Sequence, residues 1–163
     1  ILALLYILIP LILVHFLIDE TNSTKNYFNS KIVLLTFILT WTFDTFAYLI
    51  GSQFGKHKML PLISPKKSWE GLLGGGVFTI LAAFFLAQYS NIGKVQIEQF
   101  NLYFFASILP LTATTGDFIA SYFKRKAKVK DSGNLIPGHG GILDRMDAFT
   151  ITIPVLYIYL NLI

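Results

Sequence analysis

One polar stretch, residues 130–147, carries many of the side chains in this chain that could do chemistry. It reads KDSGNLIPGHGGILDRMD and holds two basic residues, three aspartates, a histidine and four glycines. Gly138, Gly140 and Gly141 surround His139, and glycines let the backbone approach a ligand closely and adopt positive φ at little cost. Successive backbone N–H groups in such a turn can cradle phosphate oxygens. The turn therefore indicates a phosphate-binding loop.

Two carboxylates follow this turn closely. Asp144 and Asp147 are three residues apart, which places them on one face if a helix begins here. Adjacent carboxylates repel each other unless a cation lies between them, and carboxylates with phosphate oxygens are the ligands that Mg²⁺ prefers. Arg145 and the basic cluster 124–130 add charge of the kind that binds a triphosphate. The pattern predicts a phosphate-handling metal site; an electrostatic loop with a helix cap at Asp144 would not need the His-Gly-Gly turn.

The rest of the chain is mostly hydrocarbon. Of 163 residues, 54% are hydrophobic and 13% are charged, with a mean hydropathy of +0.62, whereas a soluble domain carries roughly 25% charged residues. The apolar runs approach the ~20 residues that a helix needs to cross a bilayer, and they lack the strict alternation of a membrane barrel. We predict an all-α, polytopic membrane bundle with about five transmembrane helices, at 1–18, 32–50, 71–89, 102–123 and 147–163.

Nothing in the sequence divides this bundle, so a single transmembrane catalytic domain over 1–163 is expected. The first residue is Ile1, without a basic segment before the first apolar run, which argues against a signal peptide. We therefore expect the chain to be the C-terminal portion of a longer protein. The absence of cysteine excludes disulfides and thiolate chemistry within the chain. Gly71, Gly74, Gly75 and Gly76 are expected to allow close helix packing in the third span.

The basic residues indicate an orientation. Four lie in the loop 52–70 and six in the loop 124–145, which makes ten of the thirteen. The positive-inside rule places both loops in the cytoplasm. The sequence thus predicts an integral protein of the inner or plasma membrane, if the source is bacterial, with its polar loops on the cytoplasmic side.

Two aspartates interrupt the apolar spans, Asp44 in the second and Asp117 in the fourth. An ionised aspartate at the centre of a membrane helix costs ~3 kcal/mol, so such residues are functional by default. The alternative is that each lies near a helix end, hydrogen-bonded to threonines or paired with a lysine. Both lie toward the cytoplasmic ends of their spans.

A second polar segment, SPKKSWEG from Ser64, precedes the third span. Pro65 favours a turn, the two following lysines present ammonium groups, and Trp69 suits the headgroup level. Glu70 could cap or start the next helix. Taken alone, this segment fits equally well a surface-anchoring loop whose lysines meet anionic lipid, each worth ~1 kcal/mol.

The long motif SYFKRKAKVKDSGNLIPGHGGILDRMD, 121–147, resembles the signature of the phosphatidate cytidylyltransferases, the CDP-diacylglycerol synthases. Its matching positions are Ser121, Lys124, Arg125, Lys130, Asp131, Pro137, His139, Gly140, Gly141, Asp144, Arg145 and Asp147. The stretches DTFAYLIGSQFGKHK from Asp44 and SPKKSWEG look like the same family. The resemblance runs from position 41 to the end.

The resemblance implies a reaction in which CTP and phosphatidic acid give CDP-diacylglycerol and pyrophosphate. It also implies a longer, polytopic, usually dimeric protein that depends on Mg²⁺, with a second cation left open, and no nucleic-acid partner. Its polar site is expected in a cytoplasm-facing cavity within the bilayer. One departure bears on metal affinity or activity: the family usually has Glu in a GDLxES motif where this chain has Ala120.

Roles for individual residues follow from that resemblance. The expected catalytic residues are Asp117, Asp144, Asp147, Lys130 and His139. The expected metal ligands are the three aspartates of that set. The expected substrate-binding residues are Ser64, Lys66, Lys67, Ser68, Ser121, Lys124, Arg125, Gly140, Gly141 and Arg145. The residues 64–68 would meet the phosphate of phosphatidic acid, and the later basic residues would neutralise the triphosphate and the departing pyrophosphate.

Other classes of protein remain as alternatives. A transporter could use intramembrane Asp44 and Asp117 as ion sites, but it would not explain the basic cluster beside HGGILDRMD. Another membrane enzyme could use CTP on a polyprenol or ether-lipid phosphate, and a lipid kinase would release CDP rather than pyrophosphate. The chain could also belong to an inactive remnant, given its length and Ala120.

Overall fold

The computed structural model describes residues 2–18, 30–89, 99–129, 132 and 146–162. Its elements in chain order are α1 (Leu2–Ile18), α2 (Ser30–Phe54), β1 (Lys58–Leu60), β2 (Ser64–Ser68), α3 (Trp69–Tyr89), α4 (Gln99–Lys126) and α5 (Phe149–Leu162). Each expected apolar span coincides with a helix, so the predicted helical membrane bundle is confirmed. Within these described ranges, three helical segments are long and apolar enough to cross a membrane: Lys31–Phe54, Trp69–Gln88 and Leu102–Lys126. The helices α1 and α5 are apolar but shorter.

Polar side chains inside the apolar helices satisfy themselves locally. The hydroxyl of Thr36 donates to the carbonyl oxygen of Ile32 at 2.9 Å, and that of Thr40 donates to the carbonyl of Thr36 at 2.8 Å. Thr79 in α3 bonds to Gly75 in the same way. Because a bilayer offers no water to unpaired groups, such bonds to the preceding turn let threonine lie buried within a span.

Glycines bring α2 and α3 into close contact. A Cβ on Gly75 would lie 2.9 Å from the Cβ of Ala47, and one on Gly71 would lie 2.7 Å from the carbonyl oxygen of Ala47. A Cβ on Gly74 would collide with Ile50. The expected role of these glycines in helix packing is confirmed. Gly76 lies in ordinary contact with Pro110 of α4 instead.

The connection between α2 and α3 is a small antiparallel hairpin, β1–β2, which the sequence did not predict. Its pairing joins Lys58 to Ser68 and Leu60 to Ser64, with an irregularity between them. Pro65, expected in a turn, lies within β2, and the turn itself comes earlier, at 61–63. A proline is tolerated there because both strands of a two-stranded sheet are edges.

Side chains at both ends fix the hairpin to the helices. Ser68 is the N-cap of α3, because its Oγ accepts a hydrogen bond from the backbone N–H of Gly71 at 3.2 Å. Glu70 starts the helix as expected, but its carboxylate accepts from the backbone N–H of His57 and lies 2.6 Å from the His57 ring Nδ1. The backbone N–H of Trp69 donates to the carbonyl of His57 at 3.0 Å. These bonds hold the hairpin base against α3.

The core lies where α4 packs between α3 and α5, with α1 against α5. Leu39, Leu109 and Ile153 are fully or almost fully buried there. The Phe37 and Phe149 rings are 4.3 Å apart between centroids. This packing fixes the mutual position of α2, α4 and the segment that precedes α5, where the polar residues gather.

Candidate active site

A cavity of about 340 Å³ opens between α2, the hairpin, α3, α4 and the start of α5. Its charged and hydroxyl lining comes from distant parts of the chain: Asp44, Tyr48, Ser64, Lys66, Lys67, Ser68, Thr114, Asp117 and Asp147. Phe43, Met59 and Leu72 supply part of its apolar wall. Ligand sites typically combine such an apolar wall with a few convergent polar groups, at volumes of roughly 300–1,000 Å³.

Two carboxylates meet on one side of this cavity. Asp117 projects from α4, and Asp147 lies just before α5. Gly116 makes their approach possible, since a Cβ there would lie 2.5 Å from the backbone carbonyl oxygen of Asp147. Burial raises the pKa of the Asp147 carboxyl well above its usual range, and the neighbouring Asp117 charge raises it further.

Lysines flank the pair on both sides. The Lys67 ammonium of β2 forms an ion pair with the Asp117 carboxylate and lies 5.2 Å from the centroid of the Phe118 ring. The Lys124 ammonium lies 3.9 Å from the Asp147 carboxylate. Two ammonium groups, of Lys67 and Lys124, thus lie at either end of a central pair of carboxylates. Such an array suits anionic ligands and the cations that accompany them.

Behind the carboxylates, one tyrosine joins three helices. The Tyr6 hydroxyl of α1 donates to the carbonyl oxygen of Gly116 at 3.0 Å and accepts from the Thr150 hydroxyl at 2.5 Å. The Thr150 oxygen is also 2.6 Å from the carbonyl oxygen of Asp147. Gly116 directly precedes Asp117, and the other carbonyl belongs to Asp147 itself. These hydrogen bonds therefore hold the backbone that carries the two carboxylates.

The donor set fits a divalent cation. Asp117 and Asp147 offer hard oxygen ligands in the same cavity, and a cation relieves the repulsion that ionisation of both creates. Among the residues that the structure describes, no cluster of three His, Asp or Glu side chains could hold a metal. The third expected ligand, Asp144, lies outside the described residues.

The structure brings part of the expected site together. Six predicted residues line the cavity: Ser64, Lys66, Lys67, Ser68, Asp117 and Asp147. Lys124 adjoins it through Asp147. Ser121 and Arg125 of α4 are not among the lining residues, and the guanidinium of Arg125 donates to the carbonyl of Val129 at 3.4 Å. The predicted residues that lie outside the described part of the chain are Lys130, His139, Gly140, Gly141, Asp144 and Arg145.

Other positions gain meaning from the structure. Asp44, the second intramembrane aspartate, is exposed and lines the same cavity as Asp117. Two polar lining residues were missed, Tyr48 and Thr114. Their signal was helical spacing, since Tyr48 follows Asp44 by four residues and Thr114 precedes Asp117 by three. Ala120, which stands where the resemblance leads one to expect Glu, is buried in α4.

An apolar helical bundle that brings charged side chains together at one cavity is the arrangement expected of a membrane-embedded enzyme. Comparison with known proteins makes this specific: the model of the Cytidylyltransferase family matches residues 1–163, and the chain belongs to this family. The resemblance stated from its motifs is thereby confirmed.

Several curated relatives share its sequence. It is 36% identical to the phosphatidate cytidylyltransferase of Rickettsia bellii, over 95% of the chain and 69% of that protein. It is 42% identical to the phosphatidate cytidylyltransferase of Haemophilus influenzae, over 83% of the chain and 47% of that protein. The protein of the same name from Staphylococcus epidermidis is 39% identical, over 80% of the chain and 49% of its own length. The chain thus spans about half to two thirds of the length of these relatives.

Proposed function

We propose that this protein transfers the cytidylyl group of CTP to phosphatidic acid, giving CDP-diacylglycerol and pyrophosphate. The supporting observation is the cavity in which Lys66 and Lys67 of the hairpin face the carboxylates Asp117 and Asp147. The names of the curated relatives give the substrate, and the cavity has the charges that the reaction needs. The family membership covers the whole chain.

In the proposed reaction a phosphate oxygen of phosphatidic acid attacks the α-phosphorus of CTP. A new P–O bond forms, and the bond from the α-phosphorus to the bridging oxygen breaks, with pyrophosphate leaving with the electron pair. The attacking phosphate monoester is already anionic at neutral pH, so no strong general base is required. Nucleotidyl transfer of this kind depends on positioning and charge neutralisation more than on covalent chemistry.

The polar residues of the site then have separate roles in this reaction. Lys66 and Lys67 bind the phosphate of the lipid, with the hydroxyls of Ser64 and Ser68 as further donors. Asp117 and Asp147, with Asp144, would hold Mg²⁺, with a second cation left open. When bound, Mg²⁺ stabilises the negative charge of the triphosphate and of the departing pyrophosphate. Lys124 adjoins the pair and neutralises the nucleotide phosphates.

We further propose that the protein lies in the inner or plasma membrane, with the cavity on the cytoplasmic side, and acts as a homodimer. The orientation is supported by the basic loops 52–70 and 124–145. It also fits the chemistry, because CTP is a cytoplasmic nucleotide and reaches the cavity without crossing the bilayer. No nucleic-acid partner is needed for this reaction.

The direct test is pyrophosphate release from CTP by the full-length protein in detergent. We expect release to require both phosphatidic acid and Mg²⁺. Release with a polyprenol phosphate but not with phosphatidic acid would assign a different acceptor, and free CDP as product would indicate a kinase. A folded, CTP-binding protein that releases no pyrophosphate with any of these lipids would contradict a cytidylyltransferase function.

The two hairpin lysines offer a matched comparison. Lys67 is partly buried in an ion pair at the cavity, whereas the adjacent Lys66 is exposed. Charge-assisted hydrogen bonds contribute ~1.5–3 kcal/mol, so Lys67→Gln is expected to raise KM for phosphatidic acid by about ten- to a hundredfold. Exposed charges contribute up to ~1 kcal/mol, so Lys66→Gln is expected to raise it about fivefold or less.

The measurement is initial rate against the surface concentration of phosphatidic acid in mixed micelles, at saturating CTP. Both variants remove one positive charge, so a general electrostatic effect would change both KM values alike. Equal effects would show that Lys67 has no special contact with the lipid phosphate.

A further inference from the structure

The tip of the β1–β2 hairpin carries an almost fully exposed leucine. Leu62 is 96% exposed, the highest value among the large hydrophobic residues that the structure describes. Leu60, at the end of β1, is 42% exposed. Single exposed leucines are common on proteins, so the exposure matters only together with the position and charge of the hairpin.

The hairpin folds back along the helical bundle instead of projecting away from it. At its base, Ser68 lies against Gly51 and Gly55, where α2 ends. Its strands line the same cavity as Ala47, which precedes Gly55 by eight residues, or about 12 Å along a helix. Met59 of β1 packs against the apolar core of the helices. The hairpin therefore lies beside the last turns of a helix that can cross the membrane.

The surroundings of the tip are basic and amphipathic. Lys56, Lys58 and Lys66 are all exposed. The one acidic side chain between residues 52 and 70 is Glu70, and its carboxylate is bound to the ring and backbone of His57. Trp69 is 52% exposed where α3 begins, and tryptophan is enriched at the level of lipid headgroups. Exposed lysines around an apolar tip are complementary to anionic headgroups above an acyl layer.

We propose that the turn 61–63 inserts into the anionic headgroup layer of the protein's own bilayer, with Leu62 at the acyl boundary and the lysines at the lipid phosphates. Because Ser64 follows this turn directly and lines the cavity, the inserted tip adjoins the cavity. A lipid phosphate held at Lys66 is then already at the edge of the site, since Lys66 and Lys67 both line the cavity. This membrane contact does not depend on which reaction the cavity catalyses.

Labelling at single positions tests the depth of the tip. The chain contains no cysteine, so Leu62→Cys introduces one labelling position into it. The full-length protein, freed of any other cysteine, is placed in lipid nanodiscs that contain phosphatidylglycerol and is labelled with an environment-sensitive fluorophore. Leu73→Cys, exposed on α3, is the lipid-facing reference, and Lys128→Cys, beyond the end of α4, is the water-facing reference.

We expect the label at position 62 to show blue-shifted emission and quenching by lipid-attached nitroxide, close to the label at 73. A water-soluble quencher should affect it less than the label at 128. Aqueous accessibility at 62 equal to that at 128 would overturn the insertion. Leu60→Cys, on the same hairpin, supplies a second position if the first variant does not fold.

Lipid charge tests the role of the lysines. In nanodiscs of phosphatidylcholine alone, we expect the label at 62 to move toward water relative to discs with phosphatidylglycerol, while the label at 73 stays unchanged. Identical depth in the two lipids would overturn the recognition of anionic headgroups.

Discussion

Replacement of Asp117 by Asn is expected to lower pyrophosphate release from CTP by about a hundred- to a thousandfold. The reason is that the cavity loses one of its two facing carboxylates, and charge stabilisation by a bound metal is worth several kcal/mol. The change also leaves the Lys67 ammonium without the carboxylate that it now contacts. Asparagine keeps the shape of the side chain, so the effect reports the charge.

The measurement is kcat at saturating CTP and phosphatidic acid, together with Mn²⁺ binding by electron paramagnetic resonance. Glu70→Gln is the control, because it removes the same kind of charge outside the cavity. We expect Glu70→Gln to keep most of the activity and Asp117→Asn to bind Mn²⁺ more weakly. An Asp117→Asn protein with unchanged kcat and Mn²⁺ affinity would show that this carboxylate has no part in the reaction.

Gly116→Ala is expected to have the second large effect, on both stability and activity. A Cβ at this position would lie 2.5 Å from the carbonyl oxygen of Asp147 and 3.2 Å from that of Ala148. Backbone atoms cannot rotate away as a flexible side chain can. The start of α5 must therefore move away from α4 to make room for the new Cβ. Overpacking of this kind costs ~1–3 kcal/mol, and the separation moves Asp147 away from Asp117.

Gly76→Ala is the matched control, since both glycines lie in helices and the substitution is the same. A Cβ on Gly76 would lie 3.5 Å from the ring of Pro110, an ordinary contact. Thermal unfolding in detergent should show a lower midpoint for Gly116→Ala alone, and kcat should fall with it. Equal midpoints and rates for the two variants would contradict the close approach at Gly116.

The helices were predictable because lipid leaves the backbone few choices. A segment in hydrocarbon must satisfy its own N–H and C=O groups, so run length and the absence of alternation were enough to identify all five. The glycines of α3 were predictable for a similar reason, since a small side chain at a helix interface has one structural use. The β1–β2 hairpin, however, was not predicted from the local sequence. Pro65 indicated a turn, but an edge strand tolerates a proline, and Pro65 lies within β2.

The sequence could predict which residues belong to the candidate site, but not how they are arranged in space. Residue type predicted a functional role for Asp117, because an aspartate in a membrane span is rare and costly, whereas the role of Lys67 was predicted only through the family resemblance. Their ion pair depends on the fold-back of β2 onto α4, which is a matter of tertiary register rather than spacing. The contribution of Tyr6 had no signal in the sequence, since it lies in an apolar run and acts through the backbone carbonyl of Gly116.

The ion pair between Lys67 and Asp117 has a consequence for which anions can occupy the cavity. An anion can bind the Lys67 ammonium only if it attracts that ammonium more strongly than the Asp117 carboxylate does. A phosphate monoester carries a charge of about −1.5 to −2 at neutral pH, whereas the phosphodiesters of bulk phospholipids carry about one negative charge per phosphate. On the proposed function, the resting ion pair thus discriminates between the substrate and the far more abundant membrane lipids by their headgroup charge, without any contact to their acyl chains.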